Sequence, residues 1–302
     1  MNVLITGGCG FIGKNIGYEL HGDHAVTSVD DLRRGTDDVP WHNICVDITT
    51  KDSKDVVQSI DPDVVIHAAA QTNVRTSTEN PLFDAEENII GTLNVLEASE
   101  ETGVDQFIYL STGGARYGDP DSLPVKETDR PLPKAPYGVS KHAAEHYVRY
   151  YAKTNDWKHT TLCFGNVYGE YDDPDSGRLI PLFTQFYLDG DQPVIYGDGE
   201  QTRDFIYAGD IAGLIHDDIL GEPTHHDIYN VASGEQTSVN QVVSHLEDNL
   251  EPSVEARHGD ARDGEVRRIE LDISRAQDEF GFTPTRIEDG LQKTVAWFQN
   301  HG

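Results

Sequence analysis

Tyr137 and Lys141 stand four residues apart in Pro136-Tyr-Gly-Val-Ser-Lys141, so on a helix their side chains share one face. In that arrangement the lysine ammonium lowers the phenol's pKa and makes Tyr137 a proton acceptor near neutral pH. With 13 tyrosines in the chain, a chance Tyr-x-x-x-Lys is common and the pair needs context. Ser111 and Thr112 supply it. They end an apolar run, which places their hydroxyls at the carboxyl edge of a parallel sheet, where such folds bind ligands.

A second chemistry is written in Thr6-Gly7-Gly8-Cys9-Gly10-Phe11-Ile12-Gly13. These residues follow a strand-like run and precede a helical pattern. Glycines there permit a tight turn, close approach of backbone N–H groups to a pyrophosphate, and close helix–strand packing, with the helix N-terminus facing the anion. The next strand candidate ends in Asp30, whose carboxylate accepts hydrogen bonds from ribose hydroxyls and repels a 2'-phosphate. NAD is therefore expected over NADP, with Arg33 and Arg34 close by and working against that exclusion. The three cysteines, Cys9, Cys45 and Cys163, match no zinc or redox spacing and read as small core residues; no metal is expected.

The elements that must position these groups alternate. Strand candidates at 2–6, 25–29, 44–47, 64–67, 107–110 and 160–164 lack the period-two alternation of a half-solvated sheet and read as buried on both faces. Helical patterns lie between them at 12–20, 52–60, 81–101 and 137–153. The fold class is therefore α/β, a doubly wound parallel Rossmann sheet. After Asn166 the regularity breaks into Gly and Pro clusters, with later helices near 239–249 and 287–299. The reading is a cofactor domain at 1–165, to which part of 207–235 returns, and a smaller, discontinuous C-terminal lobe at 166–206 and 236–302.

Taken in order, TGGCGFIG (6–13), VDDLRRG (29–35), HAAAQ (67–71), NIIGTLNVLEA (88–98), STGGARYG (111–118), PYGVSK (136–141), GNVYGE (165–170), VIYGDGEQTRDFIY (194–207) and RDGEVRR (262–268) carry a family likeness. The chain resembles the extended short-chain dehydrogenase/reductase family, and within it the nucleotide-sugar epimerases of the UDP-glucose 4-epimerase kind. The resemblance implies that Gly7, Gly10, Phe11, Ile12 and Gly13 hold the NAD pyrophosphate, Asp30 with Asp31 the ribose, and Asp47 with Ile48 the adenine. It implies that Ala68, Ala69 and Ala70 line the dinucleotide, Asn88 is a buried helix asparagine beside the site, Phe164 lies at the cofactor, and Lys141 binds the nicotinamide ribose. For a UDP-sugar substrate it implies Thr112, Asn166, Arg178, Leu179, Arg203 and Arg262 as ligands, Val194 and Tyr196 around the base, and Ile269 beside the sugar, its small side chain leaving room for an N-acetyl group. It also implies a homodimer joined by the helices at 81–101 and 137–153, through Ile89, Leu93, Leu96, Ala143, Tyr147 and Tyr151.

Three departures qualify the likeness. Gly113 stands where a catalytic hydroxyl commonly stands, so Thr112 or Ser111 must serve. Cys163 replaces a common arginine, which removes a local ion pair, and Arg178 replaces a small or amide residue. Dehydratase relatives place an Asp-Glu pair after the catalytic threonine, and Gly113-Gly114 cannot do that acid–base work. Reversible oxidation at C4 of the sugar is the reaction this leaves. A nucleotide-sugar dehydratase, a net oxidoreductase and a non-catalytic NAD sensor stay as alternatives, although the sensor would have no use for Tyr137 and Lys141.

Composition narrows the setting. Across 302 residues, 37% hydrophobic, 53 Asp and Glu face 23 Lys and Arg, a net charge of -30, which argues against a nucleic-acid partner. No run approaches the roughly 18 apolar residues of a membrane span, and Met1 leads into Val3 to Ile5 without a basic leader. A cytoplasmic protein is expected. Acid spread along the whole chain repels itself in dilute buffer, whereas a Debye length of about 3 Å at 1 M salt screens it. This reads as adaptation to a saline cytoplasm, the plain alternative being an ordinary acidic protein. The adaptation predicts that the protein loses structure between molar salt and about 0.1 M; an unchanged melting temperature across that range would refute it.

Overall fold

The computed structural model describes residues 1–261 and 267–301. Its strands are β1 (Asn2–Thr6), β2 (Ala25–Asp30), β3 (His42–Cys45), β4 (Val64–His67), β5 (Gln106–Thr112), β6 (Lys158–Phe164), β7 (Asn166–Tyr168), β8 (Val194–Tyr196), β9 (Thr202–Arg203), β10 (Phe205–Tyr207), β11 (Ile228–Val231), β12 (Thr237–Ser238) and β13 (Arg257–Gly259). The helices are α1 (Phe11–Leu20), α2 (Asp52–Ile60), α3 (Val74–Glu79), α4 (Pro81–Ala85), α5 (Gly91–Thr102), α6 (Gly113–Tyr117), α7 (Pro136–Asn155), α8 (Leu179–Asp189), α9 (Ala208–Leu214), α10 (Val239–Leu250), α11 (Ser274–Phe280) and α12 (Ile287–His301). Among the described residues no helix is long and apolar enough to cross a membrane.

Seven strands form one parallel sheet in the order β11-β6-β5-β4-β1-β2-β3. Successive side chains of β1 feed opposite cores: Val3 and Ile5 join Ile16, Ile66 and Leu162 on one face, and Leu4 joins Val57, Val95 and Phe107 on the other. That is why the strand has no polar alternation. The sequence reading found six of the seven strands and did not name β11, whose four residues include a buried asparagine. Cys9 and Cys163 are buried, as small core residues should be, but Cys45 at the end of the edge strand β3 is exposed.

The span read as one helix over 81–101 is three pieces. Between α4 and α5 the chain makes a π turn, Glu86–Ile90. The wider turn shifts the helical register, and Asn88 within it is buried. α7 opens with Pro136 at its first turn and closes at Asp156 in the left-handed region, a start and stop that local residue types account for.

A separate apolar core joins α8, α10 and α12 to β10 through Phe183, Phe205, Val242, Leu246, Leu291 and Val295. Asp204 ties this part to the main sheet. Fully buried, its carboxylate accepts from Ser233 N at 2.8 Å, Ser233 Oγ at 2.7 Å and Leu271 N at 2.9 Å. Burial nevertheless pushes its pKa up to about 6.

The turn between β1 and α1 brings backbone against backbone. Gly7 has φ +69°, and a Cβ on it would lie 2.7 Å from Ala69 N. One on Gly13 would overlap the Gly7 carbonyl oxygen and lie 2.7 Å from Gly8 Cα. Backbone cannot yield as a flexible side chain can, so Gly13→Ala is expected to cost about 1–3 kcal/mol. Gly22, whose Cβ would meet nothing within 4 Å, is the control: Gly22→Ala should be neutral or slightly stabilising. Equal melting temperatures for the two variants in molar salt would overturn this account of the turn.

Candidate active site

The strand order reverses around β1, and the connections leaving β1 and β4 separate to opposite faces of the sheet, opening a crevice at the carboxyl ends of the strands. A cleft of about 760 Å³ lies there. Its lining holds Gly7, Gly10, Phe11, Ile12, Gly13, Asp30, Asp31, Ile48, Ala68, Ala69 and Ala70, the greater part of the expected cofactor set. Asp30 is held by the N–H groups of Cys9 at 3.0 Å and Leu32 at 2.9 Å, while burial raises its pKa. A cradle that a Cβ would fill, a helix N-terminus beside it and a carboxylate at the end of β2 together fit NAD.

Arg33 does not act against that fit. Its guanidinium is engaged by Asp31, by Glu87 at 2.7 Å and by Asp47 at 3.7 Å, so its charge is already matched by carboxylates.

Six expected cofactor residues lie outside the cleft lining: Phe164, Asp47, Asn88, Ser111, Tyr137 and Lys141. Phe164, 3% exposed, belongs to the core with Leu162 and Val231, because it is the inward residue of a strand covered on both faces. Asp47 is outside the cleft lining, where it pairs with Arg33 and accepts from Thr49 N at 2.8 Å. Asn88 is also behind the lining. It exchanges hydrogen bonds with the Gln71 backbone at 2.8 and 3.0 Å and donates to Asp84 and to Ser140 Oγ.

Tyr137, Lys141, Ser111 and Thr112 converge where β5 meets α7. Of the two hydroxyls left open by the sequence, Thr112 is the one that acts on Tyr137, drawing the pKa of its phenol down against burial. The Ser111 hydroxyl instead donates to Glu145 at 2.6 Å. Thr112 also caps α6, accepting from Ala115 N at 3.4 Å, so its rotamer is tied to that helix.

The electrostatics differ from the simple expectation. Burial pushes Tyr137 up to about 12, and what works against burial is the Thr112 hydrogen bond and the charge of Arg178, not Lys141. The lysine is itself buried, its Nζ 4.2 Å from the centre of the Tyr109 ring. Desolvation pulls it down to about 7, with Cys163 and Asp84 opposing. A buried lysine is a weakened cation.

On the expected substrate side, Arg178 lines the cleft, held by Asp172 at 2.9 and 3.1 Å and lying 5.2 Å from the centre of the Phe11 ring. Leu179 opens α8, Asn166 opens β7 with its side chain exposed, Val194 and Tyr196 lie in β8, and Arg203 lies in β9. None of these five lines the cleft. Arg262 is outside the described residues. Ile269 is a correction: it is 3% exposed and packed with Tyr117, Val125, Ala232, Leu271 and Ile273. A side chain walled in by apolar neighbours cannot leave room for a sugar substituent.

Sequence reading missed Gln71, Asp84, Ser140, Arg116 and Glu145. Asp84, fully buried, accepts from Gln71 Nε2 at 2.7 Å and Ser140 Oγ at 2.6 Å, and so links the cleft lining to the helix of Tyr137. Gln71 and Ser140 do sit inside the motifs HAAAQ and PYGVSK. Arg116 likewise sits inside STGGARYG, and for Asp84 and Glu145 the only signal was a charge within a helical pattern.

Comparison with known proteins agrees with this geometry. Residues 3–232 match the model of the NAD dependent epimerase/dehydratase family. A putative UDP-glucose 4-epimerase of Methanocaldococcus jannaschii is 36% identical over 305 residues, 99% of each chain. The solved UDP-glucose 4-epimerase of Thermotoga maritima, with UDP-glucose, superposes with a TM-score of 0.93 at 34% identity over 100% of this chain and 99% of the other. That of Thermus thermophilus, with NAD, gives 0.92 at 33% identity over 100% of both chains. From the glycine cradle to the Tyr137–Lys141 face, and by these likenesses, the chain belongs to the NAD-dependent epimerase/dehydratase family.

Proposed function

We propose that this protein is a UDP-sugar 4-epimerase, acting on UDP-glucose and UDP-galactose or their N-acetyl forms. The observation that carries the reading is the Thr112–Tyr137–Lys141 group beside the dinucleotide cleft, followed by Gly113-Gly114, which has no carboxylate for an elimination. Support comes from relatives named as UDP-glucose 4-epimerases over their whole length.

Gly7, Gly10, Phe11, Ile12 and Gly13 would hold the diphosphate of NAD, Asp30 its ribose, and Lys141 the ribose of the nicotinamide. Bound NAD supplies the hydride acceptor and donor, so no external oxidant is needed. Tyr137 takes the proton of the sugar 4-hydroxyl and later returns it. Thr112 hydrogen-bonds the same oxygen and aligns it. The 4-keto sugar then turns about its diphosphate linkage and is reduced on its other face. Arg178, fixed by Asp172 next to Phe11, adds positive charge near Tyr137 and thereby favours the phenolate.

Proton NMR of the anomeric signals of UDP-glucose and UDP-galactose in molar KCl, without added NAD, tests the reading. Interconversion is expected; consumption of external NAD would indicate a net oxidoreductase, and a 6-deoxy product a dehydratase. Tyr137→Phe should lower turnover by about a hundredfold or more with NAD binding retained, since it deletes one acid–base hydroxyl and little contact area. Turnover near wild type in that variant would remove Tyr137 from the mechanism.

We also propose a homodimer through the helices at 81–102 and 136–155. Leu96 and Val148, apolar positions on these helices, are fully buried in the parent core, yet Leu82, Ile90, Val139, Tyr147 and Tyr150 remain exposed on the same elements. A second copy of the chain would cover them. Light scattering in high salt should give twice the 33.5 kDa chain mass; the monomer mass at micromolar protein would exclude the dimer.

A further inference from the structure

The hydroxyl that faces Tyr137 belongs to one element and the phenol to another. Thr112 is set by α6, which it caps, whereas Tyr137 and Lys141 ride on α7, and residues 118–135 separate the two helices. Something must hold them in register. At one end Gly138 lets the first turn of α7 meet the Ala115 carbonyl closely.

Further along α7 lies a buried charged cluster. Glu145 follows Lys141 by four residues and so shares its helical face. One carboxylate oxygen accepts from Ser111 Oγ at 2.6 Å; the other pairs with the Arg116 guanidinium and lies 2.8 Å from His142 Nδ1. Ser111, Arg116 and Glu145 are 5, 7 and 8% exposed. The cluster therefore joins the residue beside Thr112, the last turn of α6 and the helix of Tyr137.

Stability is a poor reason for such a cluster. Desolvating two charges costs several kcal/mol, and apolar residues of similar volume are often as stable or more so. Here the desolvation is not fully offset, since Arg116 Nε is buried with no hydrogen-bond partner among the described residues. Direction is what the cluster adds: a guanidinium fork and a carboxylate fix distance and angle as no apolar contact does.

We propose that Arg116, Glu145 and Ser111 form a positioning clamp that holds the Thr112 hydroxyl against the Tyr137 phenol. The clamp rests on the epimerase reading for its effect on turnover, but not for its effect on the phenol. Removing one partner leaves a buried unpaired charge and can unfold the protein, so the decisive variant is Arg116→Met with Glu145→Gln, which removes both charges. It is read by steady-state kinetics with UDP-glucose and by carbon NMR titration of ring-labelled tyrosine, with Tyr137→Phe assigning the Tyr137 signal.

The double variant should melt within about 5 °C of the parent. Its KM should stay within about twofold while kcat falls by at least about tenfold, and Tyr137 should titrate at higher pH because the Thr112 hydrogen bond is loosened. A folded double variant with the parent kcat and an unmoved tyrosine titration would overturn the clamp. If the parent itself turns over no UDP-sugar, the functional reading fails, and the tyrosine titration alone then decides the clamp.

Discussion

The backbone of α1 lies against the turn that precedes it, and the cofactor cleft depends on that contact. A methyl group at Gly13 would overlap the Gly7 carbonyl, and one at Gly7 would crowd the backbone of Ala69 at the end of β4. Bare backbone at both points lets the helix N-terminus, the end of β1 and the end of β4 come together. The first turn of α1, whose Phe11, Ile12 and Gly13 line the cleft, then presents the helix N-terminus there, which is what a diphosphate requires. Both faces of β1 are packed in apolar core, so the turn is held by a strand covered on both sides.

The reacting end of the site is governed by burial. Desolvation raises Tyr137 and lowers Lys141, and thus disfavours the charged form of both members of the pair. Their spacing alone would have one stabilise the other. What opposes the penalty comes from other elements: Thr112 from β5, Arg178 from the segment before α8, Asp84 and Cys163 on Lys141. Proton transfer at this site is therefore a property of how β5, α7 and the α8 approach are packed together.

A chain with 53 acidic and 23 basic side chains also determines how several cations around the site are held. Arg33 is met by Asp31, Glu87 and Asp47, Arg178 by Asp172, Arg116 by Glu145. Each of these three guanidinium groups has a carboxylate that directs it. The effect is to convert positive charge from a diffuse attraction into a fixed vector. At Arg33 this matches the charge beside Asp30; at Arg178 it places charge near the phenol.

The parallel sheet, the glycine cradle and the Tyr137–Lys141 pair were legible in the sequence because each is local: buried strands show as unbroken apolar runs, a phosphate turn as clustered glycines, a helical face as a spacing of four. So was the absence of a carboxylate at Gly113-Gly114. Whether Thr112 or Ser111 faces the phenol could not be read there, since the choice is made by Glu145, more than thirty residues away. Nor could the burial of Ile269 be read, which follows from its segment returning beneath α6 to pack with Tyr117, or the matching of Arg33 by Glu87 across 54 residues. Residue type and spacing determine which groups can do chemistry; their partners, exposure and charge are set by contacts between distant segments, which come into being with the tertiary fold.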